Sequence, residues 1–113
     1  MNNIDVTKQR PVSKATDTED TVERHFCKRV KSLKGLTFKL PPLLWGAGLP
    51  DRICLMPGGR VAFAELKRPK GGRYEPLQRW WLKRLTRLGF VAVTLRTKEA
   101  VDDFLEDLCS RST

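Results

Sequence analysis

What is scarce in this sequence narrows its chemistry before any motif is considered. There is one histidine, His25, and there are three cysteines in 113 residues, with no Cys-x-x-Cys pair. That composition excludes the usual zinc sites, whose ligands come as closely spaced Cys and His pairs. Cys27, Cys54 and Cys109 are odd in number, far apart and set among apolar neighbours, so they read as reduced thiols rather than a disulfide framework. Cys27 and His25 lie close in the chain, yet no signature supplies a group to orient the imidazole. They read as a buried thiol and a surface histidine rather than a nucleophile and its base. Long apolar runs are missing as well. Nothing approaches the roughly 20 residues that span a bilayer, and MNNIDVTKQR lacks the apolar centre of a signal peptide. The expectation is a soluble, intracellular protein with no membrane partner.

Acidic residues are the third scarcity, and it is local. Residues 23–98 hold 18 basic and 4 acidic side chains, a net +14 within a chain of net +9. The flanks lean the other way, with 3 basic and 4 acidic residues in 1–22 and 1 basic and 5 acidic in 99–113. A polycationic centre suits a polyphosphate partner, because each neutralised phosphate releases condensed counterions. Nucleic acid is therefore the expected ligand. An anionic membrane surface is the alternative, but basic residues for that purpose gather on one face of an amphipathic helix, and here they are spread over every element.

At 40% hydrophobic and 31% charged residues, the chain is sized for one globular core. Residues 1–17 are polar with isolated aliphatics and read as a flexible arm. Val22, Phe26, Val30 and Leu33 recur at helical spacing, predicting a helix over 18–34 with Thr16 and Glu19 as its capping box and Gly35 as its stop. LTFKL (36–40) alternates as a strand, and PPLLWGAGLP is an apolar loop whose Trp45 either packs or meets a partner. DRICLM and RVAFAEL flank Pro57-Gly58-Gly59 as a hairpin. Leu77, Trp81, Leu85 and Leu88 predict a helix over 76–88 with Pro76 in its first turn and Gly89 as its cap, placing Trp81 in the core and Trp80 partly buried, with stacking on a base or wedging a branch point as the alternative for Trp80. FVAVTL (90–95) reads as a buried strand, and Thr97 caps a last helix bearing Val101, Phe104, Leu105 and Leu108. The order α-β-β-β-α-β-α predicts a single α/β domain with a mixed sheet flanked by helices.

A hairpin closed by residues 57–59 pairs positions whose numbers sum to 116, which sets Asp51 opposite Glu65. Two carboxylates so placed repel, and a hard divalent cation held by both, with a backbone carbonyl and waters, turns that repulsion into affinity. Lys67 lies two residues along on the same face, where an ammonium stabilises charge developing on a phosphate.

GLPD and, fourteen residues after its aspartate, AELK resemble the PD-(D/E)xK nuclease signature. Glu23 in the first helix, Gly48-Leu49-Pro50-Asp51, Glu65-Leu66-Lys67 and Gln78 opening the next helix resemble, in that order, the VRR-NUC branch, with the likeness spanning roughly residues 19–108 and the domain 18–110. The resemblance is to stand-alone, virus-type members. It implies a restriction-endonuclease-like core and Mg²⁺ or Mn²⁺ held by Asp51, Glu65 and the Leu66 carbonyl, with Glu23 binding directly or through water. It further implies catalytic roles for Glu23, Asp51, Glu65, Lys67 and Gln78; independently, Arg68, Lys70 and Arg73 in the glycine loop and Arg79, Lys83, Arg84 and Arg87 on the second helix read as phosphate contacts from their charge and placement. Implied, too, are a homodimer cleaving branched DNA in the manner of a Holliday-junction resolvase, and a virus-encoded protein acting in the host cytoplasm. Two alternatives stay open: a flap or other structure-specific nuclease of the same chemistry, and a non-catalytic basic nucleic-acid-binding protein. Glu23, Asp51, Glu65 and Glu75 are the only acids between 23 and 98, and three of these four fall at motif positions.

Overall fold

The structure, a computed structural model, describes residues 12–41, 48–73 and 75–111. Trp45 and the first eleven residues of the expected arm lie outside them. The elements are α1 (Glu19–Ser32), β1 (Leu36–Lys39), β2 (Arg52–Met56), β3 (Arg60–Leu66), α2 (Pro76–Arg87), β4 (Val91–Leu95) and α3 (Lys98–Ser110). This is the order expected from the sequence.

The sheet runs β1-β2-β3-β4. Its first three strands are antiparallel, and β4 joins β3 in parallel after the crossover through α2. Gly58 and Gly59, both with positive φ, make the tight hairpin turn, a backbone shape that disfavours a Cβ. The ladder pairs Met56 with Arg60, Ile53 with Phe63 and Arg52 with Ala64, the register anticipated from the turn length.

Alternation along the strands then decides what each face does. Cys54, Met56, Ala62, Ala64, Leu66 and Leu95 point to the face covered by α1 and α3, where Val22, Phe26, Val30, Val101, Leu105 and Leu108 complete the core. On the opposite face Leu36, Leu55 and Val61 align across three strands, with Phe38, Ile53 and Phe63 beside them. Leu36 and Phe38 are 61% and 53% exposed.

Five local expectations need correction. The N-cap of α1 is Thr18, whose hydroxyl accepts from the Thr21 amide at 3.1 Å, so Thr16 and Glu19 do not form the cap. Its C-terminal turn takes the left-handed conformation at Lys34, φ 69, not at Gly35. Gly35 is needed for space instead, since a Cβ there would sit 2.4 Å from Met56 Sδ and 2.9 Å from the Leu55 carbonyl oxygen. His25 is buried rather than on the surface, its Nε2 2.8 Å from Asp102 Oδ1, while Arg29 Nε donates to the same oxygen at 3.0 Å. On α2 only Leu85 is buried: Trp81 is half-buried, Leu77 and Leu88 are exposed, and Trp80 is 53% exposed. Residues 13–17 at the end of the expected arm contact α3. Ser13 Oγ accepts from the Lys98 amide at 2.6 Å, and the Ser13 amide donates to Glu99 Oε2 at 2.7 Å.

Candidate active site

The hairpin delivers the first two candidate residues. Asp51 precedes β2 by one residue, so the register continues it opposite Glu65 near the open end of the ladder. Its carbonyl accepts from the Leu40 amide at 2.8 Å, and its Oδ2 accepts from the Leu66 amide at 2.9 Å. Asp51 is thus tied to β1 by its backbone and to β3 by its side chain. Leu66 itself turns its side chain into the core.

Glu65, Lys67 and Gln78 form one hydrogen-bonded group. Gln78, in the first turn of α2, donates from Nε2 to Glu65 Oε2 at 2.9 Å, while its Oε1 accepts from Lys67 Nζ at 3.0 Å and from the Glu75 amide at 3.0 Å. Both ends of one amide are therefore used, which orients Glu65 and Lys67 relative to each other and helps to cap the helix. Lys67 Nζ stands 3.5 Å from Glu65 Oε2 and also donates to the Arg73 carbonyl at 2.9 Å. Glu75, the one central acid outside the motif, is the N-cap residue of α2.

Burial sets the electrostatics. Glu65 is only 3% exposed, and its Oε1 is buried without a hydrogen-bond partner. Burial first, then the nearby Asp51 charge, push its carboxyl up to about 7, against the pull of Lys67. Asp51 is raised by burial and by Glu23, with the Leu66 amide acting the other way. Glu19 is raised too, by burial and then by Asp51. A group of carboxylates that raise one another's proton affinity is short of positive charge, the condition a bound cation relieves.

Glu23 is placed differently from the other motif residues. Arg52 Nη1 donates to its Oε2 at 2.8 Å, and Lys39 Nζ lies 3.8 Å away, so it already has two basic partners. Glu19, one turn earlier on α1, is the acid that couples to both Asp51 and Glu65. Its i, i+4 relation to Glu23 was the available signal, and assigning it to a cap hid it. Arg96 is a second residue that sequence reasoning missed. Its Nη2 donates to the Gly72 carbonyl at 2.8 Å, pinning the glycine loop from the end of β4. Among the described residues, no group of three or more histidine, cysteine, aspartate or glutamate side chains is arranged to hold a metal ion. Two carboxylates supplemented by backbone oxygen and water form the donor set that fits, and it suits a hard cation.

Beside this group a cleft of about 730 Å³ runs between residues 15–19 and the glycine loop, lined by Thr18, Glu19, Lys67, Arg68, Lys70 and Arg73, among others. Arg68, Lys70 and Arg73 on the loop and Arg79, Lys83, Arg84 and Arg87 on α2 all have exposed side chains.

No protein-family profile matches the sequence. Over 81 residues the chain is 31% identical to the curated protein "Putative nuclease p44" of Acyrthosiphon pisum secondary endosymbiont phage 1, covering 72% of this chain and 85% of that one. A solved "VRR_NUC domain" superposes with a TM-score of 0.72 at 25% identity, covering 80% of this chain and 97% of the other. The chain belongs to the VRR-NUC nucleases. Its VRR-NUC core is the single α/β domain described above, and the p44 relative comes from a phage. No described helix is long and apolar enough to cross a membrane.

Proposed function

We propose that this VRR-NUC protein is a divalent-metal-dependent endonuclease that hydrolyses DNA phosphodiesters. The observation that carries the reading is Glu65: buried, short of a partner at Oε1, crowded by Asp51, and fixed by Gln78 beside the ammonium of Lys67. Asp51, Glu65 and the Leu66 carbonyl are the proposed ligands of Mg²⁺ or Mn²⁺, with Glu19 or Glu23 reaching it through water. Such a cation, when bound, lowers the pKa of a coordinated water and offsets phosphate charge. Lys67, held by Gln78 and the Arg73 carbonyl, places its positive charge where the phosphoryl oxygens gain negative charge. Gln78 keeps the lysine and the carboxylate in fixed relation and so acts as a positioning residue. Arg68, Lys70 and Arg73 line the cleft and grip backbone phosphates without reading bases.

Branched DNA, in the manner of a Holliday-junction resolvase, is the proposed substrate, cleaved by a homodimer whose two sites match the two-fold symmetry of a four-way junction. The exposed apolar sheet face around Leu36 and Phe38 supports the dimer, since a second copy would remove it from water. The test is a panel of four-way, flap, single-stranded and blunt duplex DNA with Mg²⁺ or Mn²⁺. Cleavage of branched forms, lost in Glu65→Ala while DNA binding is kept or tightened, is the expected result. Tightening is expected because the variant removes negative charge near phosphates. Binding without cleavage in either metal would leave a non-catalytic binder.

A further inference from the structure

Trp80 has no place in the chemistry above. On α2 it lies two residues from Gln78, and 100° per residue turns it some 200° away from the Glu65 side of the helix. It is 53% exposed. Arg79, Lys83, Arg84 and Arg87, all exposed, share that outward half of the helix, and Pro76, Arg79, Trp80 and Lys83 line a hollow of about 500 Å³. The indole is not loosely placed: Trp81 meets it edge to face, with ring centroids 5.1 Å apart and planes at 89°.

A large apolar ring standing in water is unfavourable unless something covers it. Another copy of this chain is a poor occupant for this face, because each copy would bring the same four cations to the contact. The fitting occupant has a flat apolar face and negative charge beside it, which describes an unpaired nucleotide. Inside a duplex the base faces are already stacked, so a single strand offers them along its whole length while a duplex offers only those of its terminal pairs.

We propose that the outward face of α2 is a binding site for single-stranded DNA, with Trp80 stacking on an unpaired base and Arg79 and Lys83 holding its flanking phosphates. The proposal rests on the DNA-directed reading above for the identity of the polyanion. The scissile group lies across the helix, roughly 10 Å of helix diameter away. The strand bound at Trp80 is therefore one flanking the cut, which at a four-way junction would be bases unpaired at the branch point.

The experiment is binding in EDTA, where cleavage plays no part, of a labelled thymidine oligomer of about 12 nucleotides and a blunt duplex of the same length, with melting temperatures measured alongside. Trp80→Leu, apolar but without an aromatic face, should bind the single strand about tenfold more weakly and the duplex within about twofold. Trp80→Phe should stay within about threefold of wild type on both, and single-strand addition should quench tryptophan fluorescence in wild type but much less in Trp80→Phe. Equal binding by Trp80→Leu and wild type overturns the proposal. So does an equal loss on single strand and duplex, which would leave phosphate contacts alone. A protein that cuts nothing but shows this Trp80 dependence would sink the nuclease reading and keep the single-strand site; cleavage with an indifferent Trp80 would do the reverse.

Discussion

Replacing Glu65 by glutamine should make the metal-free protein more stable at alkaline pH, and the size of the effect follows from the site. Glu65 is almost wholly buried, and its carboxyl is raised to about 7 from an ordinary 4.5. The folded state thus binds this proton more tightly than the unfolded chain does. Between pH 4.5 and about 7 folding stability falls as pH rises, and above 7 the full cost is present; below 4.5 there is none. At 1.36 kcal/mol per pH unit the cost reaches about 3 kcal/mol. Glutamine has a similar shape, can still accept from Gln78 Nε2, and carries no charge to bury. Urea unfolding in EDTA should show wild type and Glu65→Gln equally stable near pH 4 and the variant ahead by about 2–3 kcal/mol near pH 8. Adding Mg²⁺ should narrow that gap by stabilising wild type alone, because only wild type keeps the second carboxylate. A gap that does not change with pH, or a variant less stable than wild type at pH 8, would refute the reasoning.

Three further outcomes test the fold. Asp102→Ala removes the shared partner of His25 and Arg29 from a buried position, and it should destabilise by about 3–5 kcal/mol in urea melts. A loss under 1 kcal/mol would mean the cluster is not the anchor between α1 and α3. Gly35→Ala drives a methyl into Met56 and the Leu55 carbonyl, at a cost of about 2 kcal/mol, whereas Lys34→Gly relieves a positive φ and should stabilise by up to about 1 kcal/mol. The reverse ranking in thermal melts would show that neither the space at Gly35 nor the positive φ at Lys34 governs this turn. Cys54, buried and pushed up to about 11, should react with a thiol reagent at pH 8 only after denaturant is added; fast labelling of the native protein would contradict its burial.

The hairpin register was legible because a three-residue turn and a period of two leave few choices, and with it came Asp51 opposite Glu65 and Lys67 alongside. The element order followed for a similar reason, since apolar periodicity and turn residues are local signals. What the sequence did not reveal is long-range. His25 is buried because Asp102, 77 residues away, meets it, and no spacing rule anticipates that pair. Glu19 entered the sequence reading only as a capping-box residue, and only the packing showed that Arg52 pairs with Glu23 while Glu19 couples electrostatically to Asp51 and Glu65. The stripe Leu77, Trp81, Leu85 and Leu88 was read as core because periodicity reports apolarity, not whether anything covers it.

Lys67 Nζ donates to a carbonyl of the same glycine loop that lines the cleft. On the proposed mechanism, grip and chemistry share a mechanical part: whatever lifts residues 68–73 also pulls on the ammonium. A loop lengthened by one residue would be expected to lose turnover before it loses affinity.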